Sequence, residues 1–357
     1  MIRYMGKLKQ LREKLVAKSL DAMLITSSIN RRYVTNFTGT AGIVVISHND
    51  QFLLTDFRYV EQAEAQAKEF TIIEHPGPIE LTLKNLLQQL QAKRIGFEAN
   101  DITYAQYARF KELFDGKLIP VKGLIEDLRM IKSTDELNIL KKAAHIADQA
   151  FEHIQSYIKP GVKEIDIANE LEFFMRQKGA TSSSFDIIVA SGHRSALPHG
   201  VASNKEIQSG ELVTMDYGAL YKGYCSDITR TVAVGPISDE LKNIYNIVLE
   251  AQKRGVEEIK PQMTGKEADA ITRDYITEKG YGDYFGHSTG HGLGMAVHEE
   301  PRLSHQSDVV LKPGMVVTVE PGIYVPNLGG CRIEDDVFIT STGNERLTFS
   351  TKELIYL

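Results

Sequence analysis

Cysteine is nearly absent from this chain: Cys225 and Cys331 are the only two in 357 residues. Two thiols in a chain of this size do not make a disulfide scaffold, which fits a reducing compartment, and both read as small buried filler. Long apolar runs are missing as well. No stretch approaches the roughly 20 residues of a membrane-spanning helix, and the first residues lack the apolar core of a secretory signal. A dominant charge sign is also missing. Net charge is −6, with 41 basic and 47 acidic residues intermixed. That balance argues against a nucleic-acid footprint and against a polybasic membrane patch. These absences predict a cytoplasmic globular protein. Its 42% hydrophobic and 25% charged content agrees, and its length predicts two domains.

The first 130 residues alternate helix and strand patterns. Residues 7–17 read as an amphipathic helix with Leu8, Leu11 and Leu15 on one face. A short apolar strand at 22–26 follows, then a hairpin of 42–47 with 51–55 across His48-Asn49-Asp50. Helices are predicted at 60–67, 81–92 and 104–113, with strands at 71–74 and 94–97. The whole predicts an α/β N-terminal domain over 1–130. Ser133 followed by Glu136 is a capping box that opens a long helix, so a second domain is predicted over 131–357.

That second part repeats itself. One helix ends in Ile158-Lys159-Pro160, and the next starts near Lys163-Glu164-Ile165-Asp166 and stops near Lys178-Gly179. The same order returns in Ile259-Lys260-Pro261, Lys266-Glu267-Ala268-Asp269 and Lys279-Gly280. Each pair leads into Gly-rich, strand-like sequence. The pattern predicts a duplicated helix–helix–strand unit, with a site at the interface of the two halves.

Five residues then stand out as the ligand set of a two-metal hydrolase: Asp216, Asp227, His291, Glu320 and Glu334. Their four carboxylates neutralise two divalent cations and leave room for one bridging hydroxide. Four oxygen donors and one imidazole suit Mn²⁺, Co²⁺ or Fe²⁺ better than a sulfur-rich zinc site does, with zinc still open. A hairpin turn centred between Tyr221 and Lys222 would set Asp216 directly opposite Asp227, roughly 4.5–5.5 Å apart at Cβ. The run from His287 to Gly294 spaces two histidines four apart, but its glycines make a helix implausible, so a tight loop or strand start is expected. Glu320 follows the apolar run 315–319 at the end of a buried strand, where a lone carboxylate is costly. Glu334 is expected in a strand of its own, with Arg332 on the same face. Arg332 would orient that glutamate, bind substrate, or form a plain ion pair.

These frames resemble the pita-bread metallopeptidases, which include methionine aminopeptidase, aminopeptidase P and prolidase. The resemblance covers nearly the whole chain. It implies an α+β pita-bread catalytic domain with pseudo-two-fold halves, behind the N-terminal domain of the prolidase and aminopeptidase P branch. It also implies the roles. Asp216 binds one metal through both oxygens, Asp227 and Glu334 bridge, and His291 and Glu320 hold the second metal. Glu320 doubles as general base or proton shuttle. His298 contacts the substrate carbonyl, while His199 and His287 match pocket histidines and Phe185 a pocket wall. The implied activity is hydrolysis of the Xaa-Pro bond by a homodimer carrying two divalent ions, Mn²⁺ or Co²⁺ by the donor argument above.

Three other readings compete. One is a pita-bread binding protein that has lost its metals. Another is creatinase-like hydrolysis of an amidino compound. Both are disfavoured by the complete ligand set. Methionine aminopeptidase is disfavoured by the extra N-terminal domain. Between dipeptidase and aminopeptidase P the choice turns on Arg302. It either reads the free carboxylate of a dipeptide, as a planar guanidinium can, or it pairs with Glu299 or Glu300 at the surface.

Overall fold

The computed structural model describes residues 2–357, and the side chains of residues 6–357. The chain divides into two compact units, Met1–Arg129 and Met130–Leu357.

The first unit is built on six strands: β1 (Ala22–Ile25), β2 (Ile43–Ser47), β3 (Gln51–Thr55), β4 (Thr71–Glu74), β5 (Arg94–Glu98) and β6 (Lys117–Val121). Their order is β4-β3-β2-β1-β5-β6. The expected hairpin is β2–β3, and β5 joins β1 in parallel. The accompanying helices are α1 (Ile2–Ala17), α2 (Ser28–Thr35), α3 (Val60–Gln66), α4 (Ile79–Gln89), α5 (Tyr104–Leu113) and α6 (Glu126–Met130). Leu24, Val45, Leu54, Leu83, Ile95 and Phe110 form its core. Two elements escaped the sequence reading. Helix α2 is short and polar, and it is set by its ends: Ser27 caps it, and Asn36 stops it in the left-handed region. Strand β6 carries Pro120, which an edge strand tolerates because one side of its backbone has no partner.

The second unit opens with the capping box read from the sequence. Ser133 and Glu136 exchange hydrogen bonds at the start of α7 (Thr134–Ile154), which is followed by α8 (Glu164–Gln177). Strands β7 (Ser182–Ser183), β8 (Ile188–Ser191), β9 (Glu211–Tyr217), β10 (Ala219–Tyr221), β11 (Tyr224–Cys225) and β12 (Ile228–Val234) complete the first half. The second half repeats the order with α9 (Asp239–Glu258) and α10 (Gly265–Glu278). Its strands are β13 (Gly290–Gly292), β14 (Glu299–Leu303), β15 (Val316–Val319), β16 (Gly322–Val325), β17 (Gly329–Arg332), β18 (Asp335–Ile339) and β19 (Asn344–Arg346). The central strand β9 lies between β8 and β12, just as β15 lies between β13 and β18. Among the described residues no helix is long and apolar enough to cross a membrane.

This duplication places the acidic residues. Asp216 is at the end of β9 and Glu320 follows the end of β15. Asp227 immediately precedes β12 and Glu334 immediately precedes β18. Each half thus delivers two carboxylates from equivalent ends of equivalent strands, and the second half adds His291 on β13.

Two local expectations need correction. Asp216 does not face Asp227; it pairs in register with Thr229. The hairpin turns at Lys222-Gly223, both with positive φ, and Tyr221 pairs with Tyr224. Left-handed backbone at both central positions is the twist-compatible two-residue turn, and Gly223 makes it accessible. The register therefore moves by two, and the aspartates become diagonal neighbours on one face. Glu334, for its part, is not within a strand. It occupies the two-residue break between β17 and β18, with its N–H donated to Thr229 O at 3.1 Å.

Candidate active site

Asp216, Asp227 and Glu334 bring carboxylate oxygens that all lie within 4.8 Å of one another. Two glycines permit this crowding. A Cβ on Gly218 would meet Ser226 O at 1.8 Å, and one on Gly290 would meet Thr318 O at 1.9 Å. Backbone therefore approaches backbone beside Asp216 and beside His291, which no other residue allows. Around the cluster, Thr229 Oγ1 donates to Glu334 (2.7 Å), Asp227 N donates to Asp336 (3.0 Å), and Arg332 Nη2 donates to Asp216 (2.5 Å).

Two oxygens of the cluster remain over. Asp216 Oδ1 and Glu334 Oε1 are buried with no hydrogen-bond partner among the described residues, as is Asp336 Oδ1 beside the cluster. Buried polar atoms are normally satisfied, so these two sites of negative charge fit a cation rather than a folded resting state without one. The electrostatics agree. Burial, then the repulsion of neighbouring carboxylates, drives Asp227 and Glu334 well above the usual carboxylate range. Burial also raises Asp216, against the opposing pull of Arg332.

His291 completes the donor set. Its Nδ1 lies 3.1 Å from Gly292 O, which makes Nδ1 the proton-bearing nitrogen and turns Nε2 toward the acids. Nε2 is 3.2 Å from Glu320 and 3.8 Å from Asp227. Glu320 is buried, which alone would raise it, but the hydrogen bond and charge of His291 hold it below the ordinary range.

The cluster forms one wall of a cavity of about 540 Å³. Every residue singled out from the sequence lines it: the four acids and the imidazole above, His199, His287, His298, Arg302, Arg332 and Phe185. Ile188, Val201 and Val297 add apolar wall that the sequence reading did not select. The His298 ring stands edge-on to His291 at 4.4 Å. Burial, then the neighbouring charges of His291 and Arg302, lower its affinity for a proton, so it is neutral near pH 7.

The two arginines are resolved by their partners. Arg332 is buried, and its donors go to Thr229 Oγ1, Pro198 O, Tyr324 OH and Asp216. It orients Asp216, not Glu334 as its sequence position had suggested. Arg302 is different. Glu299 pairs with Lys132 at 3.1 Å, and Glu300 accepts the backbone N–H of Arg302. The exposed Arg302 side chain forms no ion pair with either glutamate and faces the cavity.

Tyr324 is the main residue that sequence reasoning missed. Its hydroxyl accepts from Arg332 (2.8 Å) and lies 2.7 Å from His287 Nε2. The phenol therefore donates to Nε2, and His287 Nδ1 donates to Ser288 O at 2.8 Å. Burial lowers the His287 proton affinity and pushes Tyr324 up to about 12, consistent with both being neutral. The only signal in the sequence was the alternation along Gly322-Ile323-Tyr324-Val325, which puts Tyr324 on the face of Arg332 once β16 and β17 pair.

Comparison with known proteins places this geometry. Residues 138–341 match the model of metallopeptidase family M24, and residues 7–131 match the creatinase/prolidase N-terminal domain. A solved Xaa-Pro dipeptidase from Bacillus anthracis superposes with a TM-score of 0.98 at 60% identity, covering 99% of this chain and 100% of that one. The Xaa-Pro dipeptidase of Pyrococcus furiosus is 44% identical over 359 residues, 98% of this chain and all of its own. A solved X-Pro aminopeptidase from Thermotoga maritima has a TM-score of 0.90 at 40% identity, covering 95% of this chain and 99% of that one. With a creatinase/prolidase N-terminal domain ahead of a duplicated pita-bread catalytic domain, the chain belongs to metallopeptidase family M24.

Proposed function

We propose that the protein is an Xaa-Pro dipeptidase, a prolidase, working with two divalent cations. The observation that carries the choice is the Arg302 side chain, which faces the cavity of the acidic cluster without pairing to Glu299 or Glu300. A dipeptide ends in a carboxylate one residue beyond the scissile bond. A planar guanidinium that makes no side-chain hydrogen bond among the described residues is suited to that group.

Asp216 would hold one metal, Asp227 and Glu334 would serve both, and His291 with Glu320 would hold the other. A metal pair held there would polarise the scissile carbonyl and lower the pKa of the attacking water. The remaining work falls to side chains. A Glu320 carboxylate oxygen takes the proton of the attacking water and passes it to the leaving proline nitrogen. Neutral His298 donates its ring N–H to the carbonyl oxygen as negative charge grows there. His199 and His287 flank the substrate, and Phe185 closes an apolar side of the cavity. Arg332 keeps Asp216 in place from behind. The donor set favours Mn²⁺ or Co²⁺. The scarcity of cysteine favours a cytoplasmic enzyme, and the family resemblance favours a homodimer.

The alternative is release of an N-terminal residue before proline from longer peptides, and the likeness to the Thermotoga X-Pro aminopeptidase speaks for it. The deciding measurement is kcat/KM for an Xaa-Pro dipeptide against the same sequence extended beyond proline. The dipeptide should win, and Arg302→Ala should abolish the preference. A longer peptide cleaved faster, with Arg302→Ala indifferent, moves the protein to aminopeptidase P.

A further inference from the structure

Two ion pairs outside the metal cluster grip the segments that carry His199 and His287. In the first half, Glu164 is fully buried at the start of α8. Its Oε1 accepts from Ser191 N (2.8 Å) and Ser191 Oγ (2.9 Å). Its Oε2 accepts from Arg194 Nη1 (2.6 Å) and Ser203 Oγ (2.6 Å). Arg194 Nη2 also donates to Val201 O at 2.9 Å. The segment 191–203, with His199 inside it, is thus tied at both ends to one carboxylate.

In the second half, Asp269 on α10 is 1% exposed. It accepts from Thr289 N and Thr289 Oγ1, each at 2.9 Å, and it pairs with Arg273 through two bonds. Arg273 lies over the Phe285 ring and donates to Phe285 O (3.0 Å) and His287 O (2.7 Å). The segment 285–289, with His287 inside it, is tied by the same chemistry.

The two grips are not at corresponding positions. The backbone hydrogen bonds that open the two helices, Glu164 N to Lys205 O and Gly265 N to Val309 O among them, put Glu164 level with Gly265 and Ala168 level with Asp269. Neither counterpart carries a carboxylate. The arginine also changes sides: Arg194 sits on the held segment, whereas Arg273 sits on the helix. A relic of duplication would conserve position. What the halves share instead is the task of fixing a cavity-lining histidine.

We propose that Glu164–Arg194 and Asp269–Arg273 are positioning pairs, each acting on the reaction through one histidine, His199 and His287 respectively. The proposal rests on the pocket roles given to those histidines above. A guanidinium is required in each because it binds carboxylate and carbonyl oxygens together in one plane, which an ammonium cannot do.

Double-mutant cycles at saturating metal test this. Arg273→Lys and Arg194→Lys should each lower kcat/KM on the order of ten- to a hundredfold, the scale of an ångström of misplacement. Bound-metal content should stay at the wild-type level. In a His287→Ala background Arg273→Lys should have no further effect, and likewise Arg194→Lys in a His199→Ala background. The crossed combinations should multiply. Losses that multiply in the matching background, or metal content falling in step with activity, overturn the proposal. If a lysine variant does not fold, Thr289→Val and Ser203→Ala each remove one donor to the carboxylate and carry the same cycle. A crystal structure of Arg273→Lys separates this idea from the reading beneath it. A displaced His287 ring with a fully active His287→Ala keeps the grip and ends the histidine's role, and an unmoved ring ends the grip.

Discussion

Arg332 and Asp216, 116 residues apart in sequence, are joined by a 2.5 Å hydrogen bond that uses one carboxylate oxygen and leaves the other unpartnered. The arginine fixes which way the aspartate points, so the free oxygen faces the acidic cluster. Its other donors are spent on Thr229, Pro198 and Tyr324. Removing one member of a buried pair typically costs about 3–5 kcal/mol. Arg332→Ala should therefore lower the denaturation midpoint of the metal-free protein and weaken metal binding, both readable by urea titration with and without Mn²⁺. An unchanged midpoint would show the pair to be dispensable.

Metal removal has a signed expectation. The clustered acids repel one another when empty, so added Mn²⁺ should raise the melting temperature. A ligand at 100 times its Kd stabilises by about 2.7 kcal/mol. Asp227→Asn should melt no lower than wild type in EDTA, because one buried charge is gone, and should lose most of the Mn²⁺-induced rise. Asp216→Asn should keep more of that rise, since Asp227 is assigned to both ions. Differential scanning calorimetry of the three proteins decides; an equal rise in all of them contradicts the bridging assignment.

The cavity histidines should separate by role. His291→Ala should strip metal, because its Nε2 is the only imidazole nitrogen assigned to an ion. His298→Ala should keep metal and lose kcat by roughly 10²–10³, the usual cost of removing one donor to a developing oxyanion. Metal analysis alongside single-turnover kinetics makes the comparison. The reverse pattern would exchange the two assignments.

Gly218→Ala should be harmful although its change is one methyl group. The new Cβ would sit 1.8 Å from Ser226 O, and backbone cannot step aside as a flexible side chain can. Overpacking of this kind costs about 1–3 kcal/mol, and the shift would spread Asp216 from Asp227. The expected outcome is a lower urea midpoint together with weaker Mn²⁺ affinity by calorimetry. Normal affinity at reduced stability would uncouple the glycine from the site.

Much of this protein is written locally. The capping box at Ser133, the apolar run before Glu320, and the Ile-Lys-Pro repeat each depend on neighbours a few residues away, so periodicity and residue type suffice to read them. The donor set was legible for a related reason: four carboxylates and an imidazole in glycine- and proline-marked frames are chemically expensive unless something binds them. Tertiary structure decided the rest. The register of Asp216 against Thr229 depends on which two residues take left-handed backbone, and Lys222 gives no local sign of doing so. The partner of Arg332, the tautomer set on His287 by Tyr324, and the Lys132 ammonium that pairs with Glu299 are contacts between separate segments. Their energies depend on distance and burial, which sequence order does not record.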